Sequence, residues 1–232
     1  MKVITIAGTP SSGKTSVLLH TLNLFKAEGI KTAAVKFDAL ATQDHDLYQR
    51  RLGIPAIRGL SDYVCPDHYY VSNLEEVLAW GHEQGAALLV IETAGLCFRC
   101  APHINGVPAV TVIDNLSGLG APEKMGPALK LADVVAITKG DLVSQAEKEV
   151  FLHRVRQVNQ TARAFHCNGL TGNGVLALKR MIDQWPEVPS LTGLKLRYSM
   201  PASVCSYCTG EIRVGRNFQT GNVVKIHVAN QN

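Results

Sequence analysis

The 232-residue sequence predicts an α/β fold, a mostly parallel sheet flanked by helices with a small β appendage at the C-terminal end. Three observations predict it. A glycine-rich loop at residues 7–16 joins an apolar β-rich run to a helical pattern. Further continuous apolar runs alternate with amphipathic stretches, as buried parallel strands alternate with the helices that cover them. Past Trp185 the texture changes to proline, glycine and short β-like pieces.

The first strand, residues 2–7, leads into Gly8-Thr9-Pro10-Ser11-Ser12-Gly13-Lys14-Thr15-Ser16. This fits G-x-x-x-x-G-K-[ST], the P-loop pattern. Gly8 and Gly13 permit backbone turns that a Cβ would obstruct, so successive N–H groups can face phosphate oxygens. Lys14 brings charge to the β and γ phosphates, and the Thr15 hydroxyl is positioned for Mg²⁺. The helix pattern at Val17, Leu18, Leu22 and Phe25 puts the anion on a helix N-terminus. The expected fold is that of a P-loop NTPase, and the expected ligand a nucleoside triphosphate.

A second strand is read at 31–36, a short polar helix at 44–51, and a loop at 59–68 after a brief apolar stretch. Ser72 with Glu75 three residues on reads as a capping box opening a helix that carries Leu74, Val77, Leu78 and Trp80. Strands are expected at 86–91, 107–113, 133–138 and 162–166, and helices at 122–131, 144–158 and 174–184. The nucleotide domain is read as 1–190. The appendage, 195–232, is read as β pieces at 195–199, 211–214 and 223–228 joined by hairpin turns.

The bulk numbers exclude several classes. Net charge is +4 and charged residues make up 18%, with no basic run interleaved with aromatics, so nucleic acid is not an expected partner. No apolar run is long enough to span a bilayer, and no signal-peptide pattern opens the chain. A cytoplasmic protein is expected, in which the six cysteines bind metal or do redox chemistry sooner than form disulfides.

Two further segments belong to the nucleotide. Glu92-Thr93-Ala94-Gly95 ends a strand, where the acid can reach Mg²⁺ or its waters and Gly95 can place its N–H near the γ-phosphate. Thr138-Lys139-Gly140-Asp141 fits [NT]-K-x-D. The Asp141 carboxylate can accept from guanine N1–H and the 2-amino group, a donor pair adenine lacks, so GTP is favoured over ATP. The Lys139 stem would lie along the base. Asn168, after the 162–166 strand, is placed to touch the base edge.

With these residues the chain resembles the nickel-insertion accessory GTPases of hydrogenase and urease maturation, the HypB/UreG family within the SIMIBI class of P-loop GTPases. The resemblance spans roughly residues 1–185. Asp38-Ala39-Leu40-Ala41-Thr42-Gln43-Asp44 is similar to that family's D-I-x-T-x-x-D, Gly53-Ile54-Pro55-Ala56 to its G-I-P-A, and Cys65-Pro66-Asp67-His68 to its nickel-binding segment. Leu170-Thr171-Gly172-Asn173-Gly174 is similar to its T-G-x-G turn. The resemblance implies a GTP-driven homodimer that holds a transition metal and passes it to a client metalloenzyme or maturation partner. It implies Asp38 and Glu92 on the Mg²⁺ and water side of hydrolysis, with Lys14, and Cys65 and His68 as metal ligands. Three departures stand out. Ser11 replaces the middle glycine of the P-loop, Asp67 is inserted before His68, and extra cysteines are present.

Those cysteines form two C-x-x-C pairs. Cys97 and Cys100 begin two residues after Gly95, and Cys205 and Cys208 fall in the appendage as a metal knuckle. Four thiolates suit Zn²⁺ or an iron–sulfur cluster, with His103 a further candidate ligand and nickel the metal the resemblance implies. The leading expectation is a GTPase whose cycle gates a metal site for metalloenzyme assembly. The alternatives are a nucleotide-driven iron–sulfur electron donor with a dimer-bridging [4Fe–4S] cluster, and a non-catalytic nucleotide-sensing adaptor.

Overall fold

The computed structural model describes residues 1–95, 103–198, 211–220 and 223–227. Among them seven strands form one all-parallel sheet in the order β3-β2-β4-β1-β5-β6-β7. These are β1 Lys2–Gly8, β2 Thr32–Asp38, β3 Ala56–Leu60, β4 Leu88–Glu92, β5 Ala109–Asp114, β6 Val134–Thr138 and β7 Arg163–His166. Helices α1 Lys14–Ala27, α2 Asp44–Leu52 and α8 Val175–Gln184 lie on one face. On the other are α3 Pro66–Ser72, α4 Leu74–Glu83, α5 Ala121–Lys124, α6 Pro127–Lys130 and α7 Gln145–Val158.

Period-two alternation divides the strands between the two faces. Ile4 and Ile6 of β1 pack with Leu18, Leu22 and Phe25 of α1, whereas Val3 packs with Leu74 and Val77 of α4. Likewise Ala34 turns to the first face and Val35 and Phe37 to the second. Because every strand points the same way, the loops after β1, β2, β4 and β6 gather at one edge. That edge, at the point where the strand order reverses, is where open α/β sheets bind ligands.

Three sequence expectations change here. The helix expected at 122–131 is two short helices, because Gly126 takes φ 52° and Pro127, lacking an N–H, starts a new one. The loop expected at 59–68 is shortened by β3 and by α3, which begins at Pro66. Ser72 does not cap α4; it ends α3 and its hydroxyl donates to Tyr69 O at 3.1 Å. Asn73 occupies the N-cap position, and Glu75 instead takes the Arg216 N–H at 2.7 Å and the Thr192 hydroxyl.

The described part of the C-terminal segment does not stand apart from the sheet. Val188, Leu191, Leu196, Val214 and Ile226 are buried in one cluster with Phe37, Tyr69 and Tyr70. Its strand pairing reduces to isolated antiparallel bridges, Lys195 with Arg213 and Ile104 with Leu196, where hairpins are expected from the sequence. Side chains at the α3–α4 junction take up its backbone groups instead. Asn73 Nδ2 donates to Val224 O at 2.9 Å and its Oδ1 accepts from Ile226 N at 2.8 Å.

Candidate nucleotide site

The loop after β1 surrounds a cavity of about 420 Å³, lined by Ser11, Gly13, Lys14, Thr15 and Ser16 on one side and Lys36, Asp38, Asp44 and Glu92 on the other. Lys14 Nζ donates to Gly8 O at 3.0 Å and Thr9 O at 2.9 Å, curled back onto its own loop. Burial lowers its pKa to about 8, and Glu92 offsets this only in part. Ser12 is fully buried, and its carbonyl accepts from the Thr138 hydroxyl at 2.6 Å, so β6 braces the loop. Gly8 and Gly95 meet. A Cβ on Gly95, whose φ is 74°, would stand 1.8 Å from Gly8 O, so only glycine lets the loop after β4 lie against the loop after β1.

Ser11, the departure from the family pattern, holds φ 59°. The left-handed conformation that a glycine would adopt freely is carried here by a residue with a side chain.

Behind the loop sits a group of charges that the sequence shows only in pieces. Lys36 on β2 and Glu92 on β4 are direct cross-strand partners. Lys36 Nζ donates to Glu92 Oε1 at 2.7 Å and lies 3.2 Å from Asp44 Oδ2 and 3.9 Å from Asp38 Oδ2. Burial works against its charge, but Glu92 and Asp44 outweigh burial and raise its pKa. The Thr15 hydroxyl stands 3.0 Å from Glu92 Oε1 and 3.1 Å from Asp44 Oδ2, sharing one proton between them. Tyr48 of α2, fully buried, donates to Glu92 Oε2 at 2.8 Å. Glu92 is therefore enclosed by Lys36, Thr15 and Tyr48 and only 1% exposed. Asp38 lines the cavity with one oxygen accepting from Ala39 N at 2.8 Å.

These oxygen donors suit Mg²⁺, a hard cation that keeps several waters and commonly takes one or two protein oxygens plus substrate phosphates. Thr15, Asp38, Asp44 and Glu92 would hold it or its waters. Among the described residues no group of three or more His, Cys, Asp or Glu is placed to hold an ion unaided. Such an ion would depend on the phosphates for its remaining ligands.

The residues expected to read the base, Asp141 and Asn168, line a second, open cavity of about 240 Å³ beside Gly140, Lys148, His166 and Asn173. Lys139 takes φ 55° and its Nζ lies 3.5 Å from Asp114 Oδ1, while Asp141 is exposed. Asn168 Oδ1 accepts from Leu170 N at 2.8 Å and Thr171 N at 3.0 Å, so its side chain shapes the turn. Cys167 is buried beneath it, and burial pushes its pKa up to about 12.

Of the expected metal ligands, Cys65 is half-buried at the N-cap of α3 and His68 lies in the first turn. His68 is 2% exposed, burial lowers its pKa, and its Nε2 has no hydrogen-bond partner among the described residues. His103, the further candidate ligand, is fully buried with its Nε2 2.9 Å from Ala128 O, and burial drops its pKa to about 4. Cys97, Cys100, Cys205 and Cys208 lie outside the described residues.

A phosphate loop at the switch point of a parallel sheet, with a buried acid ending the neighbouring strand, defines a P-loop nucleotide-binding protein. Residues 2–166 match the CobW/HypB/UreG nucleotide-binding domain, and the chain belongs to that family. It is 45% identical over 226 residues to an uncharacterized protein of Methanocaldococcus jannaschii, covering 97% of this chain and 96% of that one. It is 29% identical over 198 residues to the urease accessory protein UreG of Photorhabdus laumondii, covering 78% of this chain and 93% of that one. The crystal structure of HypB from Helicobacter pylori in complex with nickel shares the fold, with a TM-score of 0.63 at 19% identity over 82% of this chain and 91% of that one. No helix among the described residues is long and apolar enough to cross a membrane.

Proposed function

We propose that this chain is a GTP-hydrolysing metallochaperone, a homodimer whose nucleotide state controls a Cys/His transition-metal site used to assemble a client metalloenzyme. The observation that carries the reading is the contact of Gly95 with Gly8. A segment packed on the phosphate loop must respond when a γ-phosphate arrives or leaves, and Cys97 follows it by two residues. Membership of the CobW/HypB/UreG family supports the maturation role, and the nickel complex of a HypB neighbour supports a transition metal as the cargo.

In this reading Lys14 leaves its own carbonyls for the β and γ phosphates. Mg²⁺ supplies charge neutralisation at the phosphates when bound. Thr15 orients toward it, Glu92 holds Thr15 in place, and Asp38 orients the attacking water from the cavity wall. Asp141 reads guanine, with the Lys139 stem against the ring. Cys97 and Cys100, with Cys65, His68, Cys205 and Cys208 as further donors, hold nickel or zinc.

The test is metal affinity in two nucleotide states. Anaerobically purified protein, titrated with Ni²⁺ and with Zn²⁺, should bind at least one about tenfold differently with GDP and with a non-hydrolysable GTP analogue, a coupling of about 1.4 kcal/mol. The Cys97→Ser/Cys100→Ser variant should lose the metal while keeping GTP. Equal affinities in both states, or unchanged metal stoichiometry in that variant, would remove the coupling. Bound iron and sulfide in the purified protein would favour the electron-donor arrangement instead.

A further inference from the structure

Lys36 is a buried charge for which triphosphate binding by the loop alone supplies no role. Lysine is almost never fully buried unless paired, and Lys36 is 4% exposed at the end of an apolar strand. Its ammonium stands 2.7 Å from Glu92, 3.2 Å from Asp44 and 3.9 Å from Asp38. These are the carboxylates of the phosphate cavity, and two of them also flank the Thr15 hydroxyl. Lys14 does not share the work, since its ammonium is on Gly8 and Thr9 carbonyls.

With the ammonium removed, Asp38, Asp44 and Glu92 would face the cavity with their charge uncompensated, and hard oxygen donors of that kind attract divalent ions. With it in place, the shared oxygens are already compensated.

We propose that Lys36 is a built-in counter-cation that keeps divalent ions off Asp38, Asp44 and Glu92 until a nucleotide brings its phosphates, so that metal entry is tied to nucleotide entry. Strand register fixes the arrangement, because Lys36 faces Glu92 directly across β2 and β4. Tyr48 holds the other Glu92 oxygen at 2.8 Å, so the acid stays and the cation is the movable partner. A four-carbon stem lets the ammonium shift among three carboxylates without backbone movement. The inference rests on reading this cavity as the magnesium–triphosphate site.

The probe is Mn²⁺, followed by electron paramagnetic resonance of the free ion on nucleotide-free full-length protein. Lys36→Gln should bind Mn²⁺ at least about tenfold more tightly than the wild type, and Lys36→Arg should match the wild type. The variant Lys36→Met keeps an aliphatic stem in the apolar strand while removing the charge, so it serves where Lys36→Gln does not fold. It too should bind Mn²⁺ more tightly than the wild type. Mn²⁺ affinities no tighter than wild type in the folded Lys36-neutral variant would overturn the proposal. GTP binding by the wild type, measured separately, tests the nucleotide reading, so the two can fail independently.

Discussion

The two cavities of the candidate nucleotide site, the phosphate end and the base end, are built by different means. At the phosphate end the groups are buried and joined across strands, with Glu92 at 1% and Lys36 at 4% exposure, and Thr15, Tyr48 and Asp44 bonded to the same cluster. At the base end Asp141 is exposed, Asn168 is occupied in its own turn, and the backbone turns rather than a side-chain network set the shape. The phosphate end addresses chemistry common to every nucleoside triphosphate, and the low dielectric around it makes each misplaced charge costly. On the proposed function the base end discriminates, and discrimination needs only a few groups that would be left unpaired by the wrong base. Thr138 ties the two together, since it ends β6 just before the Lys139–Asp141 loop and its hydroxyl donates to the Ser12 carbonyl of the phosphate loop.

This division can be broken experimentally. The largest effect should come from paired variants measured by equilibrium nucleotide binding. Lys14→Ala removes charge-assisted hydrogen bonds to phosphate, of roughly 1.5–3 kcal/mol each, and should weaken GTP and ATP alike by about 100-fold. Asp141→Asn should weaken GTP by about tenfold or more, leave ATP unchanged and improve binding of xanthosine triphosphate, whose 2-oxo group can accept from the new amide. If Asp141→Asn weakened both nucleotides equally, the ends would not be separable in this way.

A smaller effect sharpens the phosphate end. Ser11 holds a left-handed φ that costs a residue with a Cβ about 1 kcal/mol relative to glycine. Ser11→Gly should therefore raise thermal stability by no more than about that amount, the entropy of the unfolded glycine taking back part of the gain. A loss of stability would mean that the Ser11 side chain makes a compensating interaction in the folded protein.

Much of this was legible in the sequence, and the reason differs between regions. The P-loop, Glu92–Gly95 and the Asp141 loop are contiguous segments, so local spacing carries their chemistry. A mostly parallel sheet is legible in the apolar runs, because a strand covered on both faces has no polar alternation to read. Lys36, Asp44 and Tyr48 were not assigned to the site. They meet Glu92 through strand register and the docking of α2, 44 to 56 residues away along the chain, which no local pattern records. One signal was present: a lysine inside an apolar strand needs a buried partner. The break at Gly126-Pro127 is also legible in the sequence, as a glycine followed by a residue that has no N–H. The Ser72 cap failed for another reason. Glu75 pairs with Thr192 and Arg216, more than a hundred residues away, so tertiary contacts displaced a local motif.

The most direct measurement of the division between a general phosphate end and a selective base end is a competition titration. ATP is added against fluorescent GTP bound to the wild-type chain with Mg²⁺ present. If Asp141 selects guanine, ATP displaces GTP only at concentrations about tenfold or more above those of unlabelled GTP. Displacement by ATP and GTP at equal concentrations would contradict it, and would leave the Asp141 loop without the role assigned to it.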